Sequence, residues 1–457
     1  MEKMKKLIYL FLVTAFLSSC SDDYVDILPF GSTIPENTDD LAMMLNVTND
    51  INSGGGNFGN QADDVVIPDD RLAFSNESAI SSYTWADFMY KENETDDDWA
   101  DQYKAISRAN YVISNIDEFE VANEFDVENT KGRAHFIRAN ALFYLVNGYA
   151  KHYNASSAST DLGVPLPLEL DINVLIPRST VQETYDLIIS DLEAALPLLP
   201  DVSSTSTWAS KQSAYALLGR VYLYQEKYEL SAQNSRAALD LGNTLSDYNS
   251  FFLYDPSNAA RGLGGYDSNK ISNEENTYVN EQGWYRTSLF LSDELVAVFD
   301  QANDLRFRYF ISDVDQTGAP QPNYIPVNAG RTPWSGIRMP EIYLNYCEAL
   351  MKQASPNSTD AVAYLNMLRA KRYDAATYAD FTHADDASTL AEIMLERRRE
   401  LRLTAWRWFD MKRLGLSHSR TVNGQTYTIN ASSANYVWAI PLNVIAINPL
   451  EQNERGL

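Results

Sequence analysis

The sequence predicts a mainly α-helical protein with an α-solenoid core and long irregular loops that form a ligand-binding region. Apolar residues recur at helical spacing in several segments, and these segments come in pairs. Between the pairs lie long stretches rich in glycine, asparagine and aromatic residues. The chain has 457 residues, 45% hydrophobic and 12% aromatic, which excludes disorder as its general state.

The first long helix is predicted to begin just before Trp99. Trp99, Tyr103 and Ile106 are three or four residues apart, so they share one stripe of a helix. Thr95 is the predicted N-cap, and the acidic residues 96–98 place favourable charge at the first turn.

Two more helices follow from the same signals. One carries apolar residues between positions 136 and 149. The next opens with Thr180 and Glu183 in the spacing of a capping box, and Pro197 and Pro200 stop it.

A tetratricopeptide-like helix pair is predicted after residue 210. Its spacing of aromatic, Leu-Gly, aromatic and later small residues is typical of that repeat, in which small residues let paired helices approach closely. A similar pair recurs at 342–351 and 361–372, which places the tetratricopeptide-like core at about 95–242 and 339–415. The repeat positions are Tyr215, Leu218, Gly219, Tyr222, Ser231 and Ala238.

The regions at about 46–95 and 243–338 are predicted to be the ligand-binding loops. Loops of such length in a packed domain are usually functional or disordered. Disordered segments are poor in aromatic residues, whereas these loops are rich in them, so we expect ordered loops. The aromatic residues are Trp85, Tyr90, Tyr266, Tyr278, Trp284, Tyr285, Tyr324 and Trp334.

Residues 1–19 are predicted to be a lipoprotein signal peptide. Three lysines precede an apolar run at 7–17, which is too short to cross a bilayer as a helix. The run ends in Leu17-Ser18-Ser19-Cys20, which resembles a bacterial lipobox, so Cys20 is the expected lipidation site. The lipid would anchor the mature chain, 20–457, as a single domain. The acidic residues 21–23 resemble a signal for export to the outer face of the outer membrane.

The net charge of −26 argues against nucleic-acid binding, because the chain would repel a phosphate backbone. One basic run near the C-terminus alternates with apolar and acidic residues. We expect it to form ion pairs, with a phosphate or anionic-lipid site as the alternative. The run comprises Arg397, Arg398, Arg399, Arg402, Arg407, Lys412 and Arg413.

No metal or cofactor is expected. Cys347 lies in an apolar helical run and is predicted to be a buried structural thiol. The four histidines are scattered, which gives no zinc-ligand spacing. Glycines 54, 56 and 59 lack the strand and helix of a dinucleotide-binding turn. The segment 313–324 begins like a calcium loop but ends in Tyr324, which offers no carboxylate.

Landmarks along nearly the whole mature chain resemble, in order, those of the SusD/RagB family of outer-membrane lipoproteins. The last of them, at 436–457, is that family's C-terminal signature. The landmarks are Trp99, Tyr103, Ile106 and Asn110; Ile137, Arg138, Ala139 and Tyr149; residues 163–167; Arg178, Ser179, Thr180, Val181, Asp191 and Leu192; Arg338, Glu341, Tyr343 and Leu344; residues 396–401 and 407–413; Ile440, Pro441, Asn448, Pro449, Gln452 and Asn453.

The resemblance implies a non-catalytic, surface-exposed lipoprotein that binds oligosaccharide or polysaccharide and delivers it to a SusC-like, TonB-dependent transporter. It places one glycan-binding aromatic near Trp85 and others after the tetratricopeptide-like pair, so Trp85 and Trp284 are the foremost candidates. The alternative for either tryptophan is a packing anchor of its loop. Trp99, Trp406, Trp408 and Trp438 are expected in the core. The remaining candidate ligand-binding residues are Tyr90, Tyr278, Tyr285 and Arg286.

Two other functions remain open from the sequence. Peptide-binding lids occur in related transport pairs, and a peptide groove would offer strand edges rather than exposed rings. A surface glycosidase would need two carboxylates about 5–10 Å apart across a cleft, a geometry that sequence does not reveal.

Overall fold

A computed structural model describes residues 35–53, 58–122, 125–168, 173–280, 289–328 and 336–456. The predicted signal peptide and Cys20 lie outside these residues. Helices dominate, as the sequence predicts, and short 3-10 turns at 248–250, 259–261 and 434–436 supplement them. The helices are α1 (Thr38–Met44), α2 (Thr48–Ile51), α3 (Phe58–Gln61), α4 (Asp69–Leu72), α5 (Glu77–Tyr83), α6 (Asp97–Asn115), α7 (Val127–Tyr149), α8 (Val181–Ala195), α9 (Lys211–Tyr224), α10 (Tyr228–Leu241), α11 (Asp293–Val296), α12 (Leu305–Phe310), α13 (Met339–Lys352), α14 (Ser358–Arg369), α15 (Asp386–Glu400), α16 (Ala405–Arg413) and α17 (Leu442–Ile447).

The strands are short and form two-stranded antiparallel pairs. Several pairs join segments that are distant in the chain: residues 65–66 pair with 290–291, and residues 276–278 pair with 337–338. The strands are β1 (Val65–Val66), β2 (Leu162–Pro165), β3 (Arg178–Thr180), β4 (Phe252–Leu253), β5 (Leu263–Gly264), β6 (Asn276–Tyr278), β7 (Phe290–Leu291), β8 (Ile311–Val314), β9 (Pro320–Pro326), β10 (Ile337–Arg338), β11 (His418–Val422) and β12 (Gln425–Ile429).

The long helices form a tetratricopeptide-like solenoid. From α6 to α10 each helix packs on the next, α10 packs on α13, and α13 packs on both α14 and α15. Helix α7 is buried along most of its length and lies at the centre of the main core. A helix that is apolar on one stripe only exposes its opposite face to solvent, whereas α7 is covered on nearly all sides. The predicted core tryptophans Trp99, Trp406, Trp408 and Trp438 are buried in this core.

The helix starts follow the predicted capping chemistry, with one correction. Thr180 and Glu183 form the predicted capping box: the Glu183 amide donates to the Thr180 hydroxyl at 3.1 Å, and the Thr180 amide donates to the Glu183 carboxylate at 2.7 Å. Helix α6 is capped by Asp96, which accepts from the Trp99 amide at 3.3 Å, and not by Thr95. The cap needs an acceptor three residues before the amide it binds, and Asp96 meets that spacing.

The small residues of the predicted tetratricopeptide-like pair are where the two helices touch. A Cβ atom on Gly219 would collide with Ser235, and the Ser231 hydroxyl donates to the Gly219 carbonyl at 2.8 Å. Ala238 is fully buried. A glycine is therefore required at 219 by close approach of α9 and α10.

Five of the seven residues of the basic run form ion pairs, as predicted, whereas Arg402 and Lys412 donate to carbonyl oxygens. Arg397 donates to Asp410 at 2.7 Å, and Arg398 donates to Asp64 at 2.9 Å. Asp63 accepts both Nε and Nη2 of Arg407. These bonds tie the segment after α3 to helices α15 and α16. The other partners are Glu392 and Glu396 for Arg399, the Arg399 carbonyl for Arg402, the Asn147 and Ala150 carbonyls for Lys412, and Glu348 with Asp410 for Arg413.

The region 243–338 is less irregular than the sequence predicts. Its second half contains α11, α12 and a hairpin of β8 and β9. The calcium-like segment forms the turn of that hairpin, where Asp315 accepts from the Thr317 and Ala319 amides at 2.8 and 3.0 Å. Cys347 is fully buried and donates to the Ala361 carbonyl, as expected for a structural thiol. None of the described helices is both long and apolar enough to cross a membrane.

Candidate functional site

Three loop-bearing segments meet beside helices α6 and α7. The Asn52 side chain donates to the Val279 carbonyl at 2.8 Å and to the Thr207 carbonyl at 3.3 Å. The Val279 amide in turn donates to the Ser206 carbonyl at 2.7 Å. The segment ending at Ser53, the segment ending at Asn280 and the loop between α8 and α9 are thus held to one another by hydrogen bonds. We call this junction the candidate ligand surface.

Buried carboxamides form the floor of the candidate ligand surface. Gln102 of α6 donates to the Ser53 carbonyl at 2.9 Å, and Asn280 donates to the same carbonyl at 3.3 Å. Asn140 of α7 donates to the Asn280 side chain at 3.4 Å. Buried amides need such partners, so these bonds from helices α6 and α7 hold Ser53 and Asn280 in place.

A fourth segment reaches the same place at Gly336. A Cβ atom there would collide with the Tyr278 carbonyl, so only glycine permits this approach. The Gly336 carbonyl accepts from Arg220 at 3.1 Å, and Arg220 is itself paired with Glu341 at 2.5 Å. Ser53, Asn280 and Gly336, each of which borders one of the segments 54–57, 281–288 and 329–335, therefore lie together at this junction.

The predicted ligand residues Trp284, Tyr285 and Arg286 lie outside the described residues, as does Trp334. The chain is described up to Asn280 and again from Leu289. On the far side, β7 pairs with β1, and the Ser292 hydroxyl donates to the Asp63 carbonyl at 2.6 Å. Both flanks of 281–288 are thus anchored by hydrogen bonds to the region 52–66.

Trp85 is a packing anchor in this structure, which corrects its expected role as an open sugar platform. Its side chain is 1% exposed, and its indole N–H donates to the Gln61 carbonyl at 3.1 Å. The Arg420 guanidinium lies 4.2 Å from the ring centre, and the His418 ring meets it edge-on at 5.9 Å. No ring face is left open for a ligand, and the cavity beside Trp85 measures only about 10 Å³.

Tyr278 is also a core residue, and Tyr90 is half-buried. Tyr278 is 1% exposed and packs against the Phe136 ring at 4.7 Å, which excludes the expected ligand-facing ring. Tyr90 lies near the acidic start of α6, where burial, followed by Asp96 and Asp98, raises the pKa of its phenol well above the usual range. Tyr90 thus remains a protonated phenol beside carboxylates.

Trp208 is an aromatic residue at the candidate ligand surface that the sequence analysis did not single out. It follows Ser206 and Thr207, whose carbonyls bind Val279 and Asn52, and it is half-buried. The Arg133 guanidinium lies 4.1 Å from its ring centre. The signal in the sequence is a lone tryptophan in a run of serines and threonines between two helices, a pattern that the helical repeat does not require.

An exposed aromatic pair lies elsewhere, on the β4–β5 hairpin. Phe252 and Tyr254 are 56% and 68% exposed, and their ring centres are 5.8 Å apart. The Phe252 ring covers Gly264, and Gly262 lies beneath Tyr254. The two rings are nearly perpendicular, at 79°, so they do not form one flat platform.

One buried acidic pair that bears on the glycosidase alternative, Asp63 and Asp64, is structural. Asp63 and Asp64 are adjacent, but Arg398 and Arg407 occupy their oxygens. Burial raises the pKa of the Asp64 carboxyl, and Arg407 holds the pKa of Asp63 low against the effect of burial. Within the described ranges, no group of three or more histidine, cysteine or acidic residues could hold a metal ion.

Comparison with known proteins places the chain in a family. The family described as "Starch-binding associating with outer membrane" matches residues 30–223, and the one described as "SusD family" matches residues 264–448. The chain belongs to the SusD/RagB family. Membership in SusD/RagB confirms the resemblance seen in the sequence landmarks.

Individual proteins that are similar to this SusD/RagB chain are also SusD-like proteins. It is 25% identical to SusD-like protein P2 of Formosa agariphila, over 70% of this chain and 72% of that protein. It is 26% identical to SusD-like protein P38 of the same organism, over 78% of each chain.

Solved structures show the same fold. A SusD superfamily protein of Bacteroides thetaiotaomicron superposes with a TM-score of 0.71 at 20% identity, over 92% of this chain and 100% of that one. A structure described as a laminarin binding SusD-like protein superposes with a TM-score of 0.63 at 19% identity, over 92% and 99%.

Proposed function

We propose that this SusD/RagB protein binds glycans at the cell surface and delivers them to a SusC-like, TonB-dependent outer-membrane transporter. In this proposal the signal peptide, residues 1–19, is removed, and lipid on Cys20 anchors the chain to the outer membrane with the ligand surface outward. The protein binds its ligand without catalysis. The transporter carries out translocation, and this chain supplies capture.

The observation that carries the proposal is the family match over 30–223 and 264–448, in a family described as starch-binding and associated with the outer membrane. The solved neighbour described as laminarin binding has the same fold. The junction at Ser53, Asn280 and Gly336 supports the proposal, because three segments of the chain are joined there beside helices α6 and α7. Binding residues are commonly carried by loops on such a scaffold.

The ligand residues that we propose are Trp284, Tyr285 and Arg286, together with Tyr90 and Trp208. Aromatic faces stack against the C–H faces of sugars, and arginine pairs with hydroxyls. The loop 281–288 starts from Asn280 on the floor of the candidate ligand surface. Trp85 and Tyr278 support the surface from within the core.

The test is affinity electrophoresis and isothermal titration of the purified protein with a panel of plant, host and microbial polysaccharides. The expected result is binding to one glycan class, with no reducing ends released. Trp284→Ala and Trp208→Ala should each weaken binding, by about tenfold for about 1.4 kcal/mol of lost contact. Phe252→Ala, which removes an exposed ring on the β4–β5 hairpin, serves as the matched control.

Each contrary outcome has a definite meaning. Release of reducing sugar would show a glycosidase. Failure to bind any glycan while the protein retains peptides would favour the peptide-binding lid. Loss of binding in Phe252→Ala alone would move the sugar site to the β4–β5 hairpin. Copurification of a TonB-dependent barrel with the chain, from outer membranes of the source cells, tests the proposed partner.

A further inference from the structure

A cavity of about 260 Å³ opens at the C-terminal end of α7. Its walls come from the turn after α7, from α16, from the turn at 431–434 and from the C-terminal residues Asn453 and Glu454. It shares no lining residue with the candidate ligand surface. The volume lies just below the range of about 300–1,000 Å³ that is typical of ligand pockets, which suits one small molecule rather than a chain.

Lys412 brings a cation to this cavity. Its ammonium donates to the Asn147 carbonyl at 2.7 Å and to the Ala150 carbonyl, both at the end of α7. An ammonium has three N–H groups, so one is left for a ligand in the cavity that Lys412 lines. Burial lowers the pKa of Lys412 to about 7, and an anion beside it would stabilise the charged form.

His152 also lines this cavity, and its ring meets the Tyr224 ring edge-on at 6.0 Å. Burial, followed by the charges of Lys412, Arg413 and Lys352, lowers the pKa of His152 to about 3. The neutral imidazole can therefore donate through one nitrogen and accept through the other, as a sugar hydroxyl requires.

Serine hydroxyls complete the polar lining. The Ser433 hydroxyl accepts from the Asn430 amide at 3.0 Å, which leaves its own proton available. Ser432 is exposed at the mouth, where its amide and hydroxyl both donate to the Asn430 side chain, at 3.0 and 2.7 Å. The cavity thus combines a cation, a neutral imidazole and a hydroxyl donor.

We propose that this cavity binds a single hexuronate-type ligand, with its carboxylate at Lys412 and its hydroxyls at His152 and Ser433. Lys151 and Glu454 also line the cavity, but Lys151 is paired with Asp161 at 3.0 Å, so Lys412 is the cation that the proposal uses. The preference for an anion rests on the cavity alone, and the choice of a sugar acid rests on the proposed function.

Isothermal titration with D-glucuronate, D-galacturonate, D-glucose and acetate tests this proposal. One of the two uronates should bind at least tenfold more tightly than glucose and than acetate. Ser432→Trp should weaken that binding at least tenfold by closing the mouth. Ser156→Trp is the matched control, because Ser156 is equally exposed and makes the same two bonds to Asn154, at 2.9 and 2.6 Å, outside the cavity.

A second variant separates binding from folding. His152→Phe keeps a ring against Tyr224 and removes only the polar nitrogens, so it should weaken uronate binding without lowering the Tm. Lys412→Met would also uncap α7, so it is not used. The proposal is overturned if neither uronate binds, if glucose or acetate binds as tightly, or if Ser432→Trp binds as the wild type does.

The two proposed sites fail independently. Trp284→Ala should lose polysaccharide binding and keep uronate binding, whereas Ser432→Trp should do the reverse. If the wild-type protein binds a uronate but no polysaccharide, the proposed glycan surface is refuted and the cavity proposal stands.

Discussion

The solenoid and the candidate ligand surface are held together by different kinds of bond. Where α12 packs against helix α15 of the solenoid, Arg306 is fully buried between Asp304, Glu396 and Glu400, at 2.8, 2.5 and 3.0 Å. At the ligand surface the segments ending at Ser53 and Asn280 are joined by uncharged carboxamides such as Asn52 and Asn280, although Arg220 donates to the Gly336 carbonyl. Removing one partner of a buried ion cluster leaves charge uncompensated, whereas a lost neutral bond costs much less. Substitutions in this buried ion cluster should therefore cost more stability than substitutions of the neutral carboxamides at the loop junction.

The largest effect should come from Arg306→Met. It leaves three buried carboxylates without their central cation, so the free energy of unfolding should fall by about 3–5 kcal/mol. Urea unfolding measures the loss. Arg308→Met is the matched control, because Arg308 lies on the same helix, is 40% exposed, pairs with Asp374 across 3.1 Å and donates to the Ala302 carbonyl at 3.2 Å. The control should cost about 0–1 kcal/mol. Equal losses in the two variants would contradict the comparison.

Trp85→Ala and Trp208→Ala should separate a packing role from a binding role. Trp85 is buried on every side, so its truncation should lower the free energy of unfolding by about 3–5 kcal/mol. Trp208 is half-buried, so Trp208→Ala should lower the free energy of unfolding less than Trp85→Ala does and should lower the glycan affinity more. Urea unfolding and affinity electrophoresis, run on the same preparations, give both quantities. A stable Trp85→Ala protein with lost binding would restore Trp85 to the ligand surface.

These two tryptophans show where sequence reasoning ends. Local chemistry was readable: the Thr180–Glu183 box, the requirement for small residues at Gly219 and the burial of Trp99 follow from spacing within one or two helices. Trp85 is buried by Arg420, which lies far along the chain, so no local pattern reveals it. Trp208 owes its position to bonds that its neighbours make with Asn52 and Val279. Such long-range pairings decide which loop aromatics remain exposed.

Asn52→Ala probes the neutral junction directly. The variant removes the donor to the Val279 and Thr207 carbonyls, so we expect a loss of about 1–3 kcal/mol and weaker glycan binding. Asn234→Ala is the matched control, since Asn234 is half-buried and donates to the Leu230 carbonyl of its own helix in a solvent-exposed bond, at 2.8 Å. Thermal unfolding and titration with the bound glycan measure the two effects. Unchanged binding in a destabilised Asn52→Ala protein would show that the junction does not position the ligand loops.

The smallest effect concerns pH, where two buried carboxylates should act in opposite directions. Arg413 holds the pKa of Glu348 far below its usual range against the effect of burial, so that pair loses its stabilisation only in strong acid. Asp96 has no cation beside it. Burial, followed by the charge of Asp98, raises the pKa of Asp96 to about 8. Its contribution to stability is therefore complete below about pH 4 and is lost as the pH rises through about 8.

Asp96→Asn removes that titration while retaining an oxygen that can cap the Trp99 amide. The wild-type Tm should fall between pH 5 and pH 8.5 by about 2 °C or more relative to the variant. Differential scanning calorimetry at several pH values measures this difference. Parallel Tm curves for the two proteins would show that Asp96 is ionised throughout, with Tyr149, whose hydroxyl donates to it at 2.6 Å, sufficient to stabilise the charge. A widening gap would show that the N-cap of α6 is held by a neutral carboxylic acid, in contrast to Glu348, whose charge is compensated by Arg413.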